Sequence, residues 1–284
     1  MNWFLLISGL VTSYLCVVEG YGDKTNIDEY PWLVLIEYPK DNTVSLSCGG
    51  SLISDRYVLT ATYCVVGPIT KISPPRNVRL GEYDKSNEVD QPDCVTSTDE
   101  GASDCNDGAI VIPIEKIIAH PEYNPEDTKT RKHDIALIRM SKSAPYTDFI
   151  RPISLPTSDI TLSPPSGLQL IEAGWATAYS RDKPSDVKVA VKLPFVPLSE
   201  CQTAYNNKAE LWQGQICAGG KEGKYSCIGD GGGPLVWENS KPDGSKVFEI
   251  VGIVSFGMCR KENVPYVYTK VYDYNSWIRE TIKS

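Results

Sequence analysis

The sequence predicts an all-β fold: one compact unit of two barrels with a helix at its C-terminal end. Three observations lead there. Short strand-like runs, bounded by Gly, Pro, Asp and Ser, recur along the chain. Only Val271 to Ile282 has helical spacing, with Tyr274, Trp277 and Ile278 on one side. The length, 284 residues, suits a single unit of this class, and no internal repeat or low-complexity tail points elsewhere.

In chain order, Trp3 to Val18 comes first, an apolar run of the signal-peptide type, with small residues at Val18-Glu19-Gly20 suited to cleavage before Tyr21. Residues 1–20 are therefore expected to be a leader and 21–284 the mature, secreted chain; the run is too short for membrane insertion. Strands are expected at Trp32 to Tyr38, Leu46 to Ile53, Asp134 to Met140, Leu168 to Ala173, Val187 to Leu193 and Phe248 to Ser255. The aromatic side of the last segment reads as packing for a helix at about 271–282.

Composition narrows the function classes. The chain has nine cysteines; removing Cys16 with the leader leaves an even number, which suits disulfides in an oxidising compartment. No His or Cys cluster has zinc-ligand spacing. The net charge is −8, and the stretch Glu82 to Asp107 alone holds nine acids against Lys85. The rest is balanced, so nucleic acid and anionic membranes are not expected partners. The sequence has no Asn-X-Ser/Thr sequon, so N-glycosylation is not expected.

A series of motifs then falls in one order: Pro31-Trp32, Cys48-Gly49-Gly50-Ser51-Leu52-Ile53, Leu59-Thr60-Ala61-Thr62-Tyr63-Cys64, Asp134-Ile135-Ala136-Leu137, Gly174-Trp175, Cys217-Ala218-Gly219 and Gly229-Asp230-Gly231-Gly232-Gly233-Pro234. Together they resemble the chymotrypsin-like (trypsin, S1) serine proteases over about Gly22 to Ser284. The resemblance implies two six-stranded antiparallel β-barrels, at about 31–145 and 157–270, hinged near Pro145 to Pro156. It also selects the disulfides Cys48–Cys64, Cys201–Cys217 and Cys227–Cys259, leaving Cys94 to pair with Cys105 inside one loop.

The resemblance fails where the family does its chemistry. The triad needs a serine to attack, a histidine to take its proton and an aspartate to orient the histidine. Here Tyr63, a phenol with a reference pKa of about 10, stands in the histidine position. Gly231 stands in the serine position and has no side chain; only Asp134 matches. Losing the serine or histidine alone costs about 10⁶ in turnover, roughly 8 kcal/mol of barrier. The chain's two histidines, His120 and His133, read as loop or surface residues. His133 is expected beside Asp134 on a strand and so to point away from it. Ser226 precedes Cys227 and does not match the nucleophile.

The matching pocket positions also depart. Its base is Tyr225, and Tyr266 stands where the family has a glycine, so the vestigial pocket is expected to be filled by its own side chains. Ser255 and Gly257 match the strand that pairs with peptide backbone, leaving edge-strand recognition open. Gly229 retains an oxyanion-hole position. Asp230 matches the aspartate that pairs with a freed Ile terminus, but this chain has Glu19-Gly20-Tyr21-Gly22 there. A lone buried carboxylate is costly, so a zymogen-like loop is expected at Asp230.

The extra disulfide after Leu80 to Asp84 resembles the arthropod clip-type proteases and their non-catalytic homologues, which act in extracellular cascades of melanisation and Toll-type immunity. Two features differ: there is no room for a clip domain before Pro31, and Ser154 stands where a tethering cysteine is usual. A stand-alone protease-like domain is therefore expected. Relatives bind calcium in the acidic loop; Glu82 and Asp84 are the candidates for Ca²⁺, and no cofactor is required. The function expected is a secreted pseudo-protease, not an enzyme, that binds extracellular proteases, zymogens or prophenoloxidase-like proteins as cofactor or decoy. The alternatives are an active endopeptidase with an unorthodox site and a ligand-binding recognition or venom protein.

Overall fold

The computed structural model describes residues 22–67, 70–71, 73–96, 103–175, 184–220, 231–241, 243–258, 261 and 263–283. The leader, Ser226, Tyr225, Gly229, Asp230 and the Cys227–Cys259 pair lie outside the described residues.

Strand β1 (Asp23–Lys24) is followed by β2 (Leu33–Lys40), β3 (Thr43–Leu52), β4 (Tyr57–Thr60), the one-turn helix α1 (Thr62–Val65) and β5 (Asn77–Leu80). A two-stranded ribbon, β6 (Cys94–Thr96) with β7 (Ser103–Cys105), precedes β8 (Ile110–Ala119) and β9 (Ala136–Met140). The second half holds β10 (Gln169–Gly174), β11 (Val189–Val196), α2 (Leu198–Tyr205), β12 (Gln215–Ala218), β13 (Pro234–Ser240), β14 (Lys246–Phe256) and β15 (Tyr266–Lys270). A 3-10 turn (Val271–Tyr274) leads into α3 (Asn275–Lys283).

Two antiparallel barrels result. The first closes in the order β2-β3-β4-β9-β8-β5. The second runs β11-β10-β13-β14-β15-β12 and is closed by the β11–β12 pairing, with β1 added outside β11. Closure removes the free strand edges that an open sheet would expose. β2 buries both faces, from Leu33 through Tyr38, which is why Leu33 to Ile36 reads as a continuous apolar run rather than an alternating one. Its core of Ile36, Leu52, Leu59, Leu137 and Ile138 extends to Tyr274 and Ile278, so α3 packs on the barrel. A separate core of Leu170, Leu193, Leu235, Tyr266 and Tyr268 fills the second barrel. The halves are tied by Ile153 N–H to Leu52 O (2.9 Å) and Ile250 N–H to Ser154 O (3.0 Å).

Two expectations are corrected. The C-terminal segment is not the sole helix: α1 and α2 are helical too. α2 buries Cys201 and Tyr205, one turn apart, and stops at Asn206, whose φ of 44° is left-handed. The strand expected from Asp134 starts at Ala136, because His133 adopts a φ of 57° and breaks the extended backbone ahead of it.

Cys48–Cys64, Cys94–Cys105 and Cys201–Cys217 are bonded. The first fixes α1 against β3, the second clips the β6–β7 ribbon, and the third anchors α2 to β12.

Candidate functional site

Three segments converge between the barrels. α1 follows β4 and carries Tyr63. The turn before β9 carries Asp134, which is 2% exposed. The turn before β13 carries Gly231, held by Gly49 N–H donating to its carbonyl (2.8 Å) and by Gly232 N–H donating to Val254 O (2.9 Å).

Asp134 is engaged by the protein itself. Tyr63 N–H donates to Oδ1 (3.0 Å) and Ser255 Oγ donates to Oδ2 (2.5 Å). Ser255 reaches it because the β14–β15 register shifts between Val254 and Phe256, turning that side chain out of the ladder. Burial pushes the Asp134 carboxyl up to about 6, against the Ser255 hydroxyl, the Tyr63 and Thr62 N–H groups and the Arg131 charge, all of which favour the anion.

The tyrosine and the glycine are interlocked. A Cβ placed on Gly231 would lie 1.8 Å from Tyr63 Oη and 3.0 Å from its Cζ. The phenol thus occupies the space that a side chain at position 231 needs. No hydroxyl can attack from residue 231, and no imidazole stands at residue 63 to receive a proton.

Tyr266 opens β15 and points inward: it is 6% exposed and belongs to the second barrel's core. Its ring lies flush against Gly257, where a Cβ would come within 2.4 Å of the ring carbons. Gly257 is thus a close approach between backbone and aromatic ring. Burial raises the Tyr266 phenol above its ordinary range.

The acidic loop is organised by groups that the sequence did not single out. Arg79 on β5 is buried between two carboxylates, donating Nε–H to Glu37 Oε1 (2.8 Å) and Nη1–H to Glu82 Oε2 (2.9 Å). The other Glu82 oxygen accepts from Tyr83 N–H (3.0 Å). Burial pushes the Glu82 carboxyl above its usual range, against the pull of Arg79. Asp93 accepts from Asp84 N–H (2.9 Å) and Asn87 Nδ2–H (2.6 Å), while Asn106 Oδ1 accepts from the N–H groups of Asp93 (2.8 Å) and Gly108 (2.9 Å). Asp84 Oδ1 accepts from Ser86. Calcium takes about six to eight oxygens. Among the described residues no group of three or more His, Cys, Asp or Glu side chains is placed to hold a metal. Glu82 and Asp84 therefore do not fit the expected calcium site: the cation beside Glu82 is the Arg79 guanidinium. The i,i+3 spacing of Arg79 and Glu82 was the available signal, hidden because a strand ends between them.

The histidines stand in loops, as expected, but are half-buried rather than exposed. Their rings stack at 4.9 Å, half-buried among Tyr274, Trp277 and Trp212, and His133 Nε2 lies 3.3 Å from Glu122. Burial, then the neighbouring His133, lowers the His120 pKa. His133 turns from Asp134 through its left-handed backbone, not through strand alternation.

Comparison with known proteins places this geometry. The trypsin family model matches residues 20–278. The phenoloxidase-activating enzyme of Bombyx mori is 48% identical over 273 residues, covering 92% of this chain and 60% of that protein. Serine protease ea of Drosophila melanogaster is 41% identical, covering 93% of this chain and 67% of the relative. The crystal structure of the Drosophila Grass clip serine protease of the Toll pathway matches with a TM-score of 0.76 at 29% identity, over 99% of this chain and 74% of that one. The chain spans 60% of the length of the Bombyx relative. With a matching family model over most of its length, two closed barrels and relatives at 48% and 41% identity, the chain belongs to the trypsin family of serine proteases.

Proposed function

We propose that this chain is a non-catalytic member of the family that works by binding proteins in an extracellular protease cascade of the melanisation or immune type. The observation that carries this reading is the Tyr63–Gly231 interlock: the family's base and nucleophile positions hold a phenol and a glycine, and the phenol fills the nucleophile's space. Tyr266 supports it by closing over Gly257, where an empty substrate pocket would be needed. The apolar run Trp3 to Val18 and the disulfides support secretion. The relatives' names, a phenoloxidase-activating enzyme and a phenoloxidase-activating factor, support proteases, zymogens or prophenoloxidase-like proteins as partners, met as cofactor or decoy.

Purified protein tests the reading directly. Treatment with a fluorophosphonate serine probe leaves it unlabelled, and a diverse peptide library emerges uncut; stoichiometric labelling or reproducible cleavage overturns the inactive assignment. Affinity capture from arthropod haemolymph, read by mass spectrometry, recovers cascade proteases or phenoloxidase; recovery of glycans or lipids alone overturns the partner assignment.

A further inference from the structure

Among the disulfides of the described residues, one differs from the others in access. Cys48, Cys64, Cys201 and Cys217 are each 1% exposed or less, so the sulfurs of those two bonds are packed inside the fold. Cys94 and Cys105 are both exposed. They face each other directly across the β6–β7 ribbon, beside the pairs Val95 with Asp104 and Thr96 with Ser103. That ribbon is a sheet of its own, in the ladder of neither barrel. Disulfides exchange by attack of a thiolate on a disulfide sulfur, so access decides which bond reacts. A thiolate in solvent can meet Cys94–Cys105 and is kept from the two buried bonds.

The loop also has a non-covalent clasp directly behind this bond. Asp93 and Asn106, the chain neighbours of the two cysteines, are 3% and 4% exposed. Asp93 N–H donates to Asn106 Oδ1 (2.8 Å), and Asn106 N–H donates back to Asp93 O (3.0 Å). Asn106 Nδ2–H donates to Gly81 O (3.1 Å), while the Asp93 carboxylate accepts from Tyr83, Asp84 and Asn87. The clasp fastens the base of the loop to the end of β5 without help from the sulfurs. Breaking the bond therefore frees the β6–β7 ribbon and leaves the base in place, a local event rather than unfolding. Charge selects the attacker. Asp104 adjoins Cys105 and is exposed, as are Glu88, Asp90 and Asp107. Nine acids stand against one lysine from Glu82 to Asp107. An anionic thiol is repelled there, whereas a thiolate on a neutral or cationic carrier is not.

We propose that Cys94–Cys105 is a thiol–disulfide exchange site, reduced by a protein dithiol whose contact face is neutral or cationic. One thiolate of the dithiol attacks a sulfur of the cystine. The cystine bond breaks as a mixed disulfide forms, and the departing Cys thiolate takes a proton. The dithiol's second thiol, deprotonated, attacks its own partner sulfur and releases the remaining Cys thiolate, which is protonated in turn. The chain ends with two thiols and the dithiol with a disulfide, so two electrons and two protons have passed to the chain. The exchange goes beyond the binding role proposed above and uses nothing from residues 63, 134 or 231, so its failure would leave that reading untouched.

The test is timed reduction of the native protein with dithiothreitol, quenched with N-ethylmaleimide and mapped by peptide mass spectrometry. Cys94 and Cys105 take the label about tenfold faster, or more, than Cys48, Cys64, Cys201 and Cys217. Equal rates at the three bonds, or no label at Cys94 and Cys105 before the protein unfolds, overturns the proposal. Two monothiols then probe charge. Glutathione, an anion, reacts several-fold faster at about 300 mM salt than at about 20 mM, while cysteamine, whose ammonium offsets its thiolate, changes little; a glutathione rate indifferent to salt overturns the selection by charge. A thioredoxin-type protein with a neutral contact face, its resolving cysteine changed to serine, is trapped as a mixed disulfide on the parent and not on C94S/C105S. Absence of that adduct overturns the assignment to a protein dithiol. C94S/C105S itself melts within about 5 °C of the parent. A larger fall is what loss of a cross-link that staples the whole fold would give, and it overturns the local event.

Discussion

Tyr63 and Gly231 share one volume: the tyrosine hydroxyl lies 1.8 Å from where any Cβ at residue 231 would have to be. The two substitutions are therefore a single packing unit. Gly231→Ala is expected to lower stability by about 1–3 kcal/mol through overpacking. Tyr63→Ala should remove most of that cost in a double-mutant cycle, measured by urea unfolding; additive costs would show the phenol is not lodged there.

The double reversion Tyr63→His with Gly231→Ser removes the clash and restores the family's residue types. It should still fail on small trypsin substrates, because Tyr266 remains packed over Gly257 and the chain keeps Glu19-Gly20-Tyr21-Gly22 in place of an activating Ile terminus. Robust hydrolysis of an arginyl amide substrate would refute the blocked-pocket argument.

Asp134 gives a signed pH effect. Its folded pKa is raised from 3.8 to about 6, so between those values the native state binds more protons than the unfolded one. Stability from this group is then greatest below pH 3.8 and falls as pH rises through about 6. In parallel melts, the parent should lose about 2 kcal/mol relative to Asp134→Asn between pH 4 and pH 7. A flat difference would mean the carboxyl is solvated rather than buried.

Arg79 supplies the loop's internal cation, which separates it from calcium. Millimolar Ca²⁺ or EGTA should leave the melting temperature unchanged. Arg79→Met, which strands Glu37 and Glu82 as buried carboxylates, should cost about 3–5 kcal/mol by denaturant unfolding. A calcium-dependent rise in melting temperature would overturn the fit argument.

Tyr266→Ala should open a cavity in the second barrel and cost about 3–5 kcal/mol, read by urea unfolding. A near-neutral outcome would mean the ring lies outside the core.

Much of this was legible in the sequence, and the gaps have physical causes. Runs such as Leu33 to Ile36 announce strands because both faces are buried. α2 escaped because eight residues with two buried side chains carry too little periodicity to register. β8 escaped because Pro113 and the bulge between Ile114 and Lys116 interrupt its alternation. At the site, the absence of a serine hydroxyl and an imidazole could be read directly, whereas the interlock could not. Residues 63 and 231 meet only after both barrels have closed. Arg79 was missed for a similar reason: its partner Glu37 lies on a neighbouring strand.

The shared volume also makes the two positions answer to each other. A side chain added at position 231 brings its Cβ to 1.8 Å from the Tyr63 hydroxyl, so residue 63 must swing away or be replaced before position 231 can carry one. A change at either position is thus read through the other, and the smallest step that puts a hydroxyl at residue 231 involves two residues, not one.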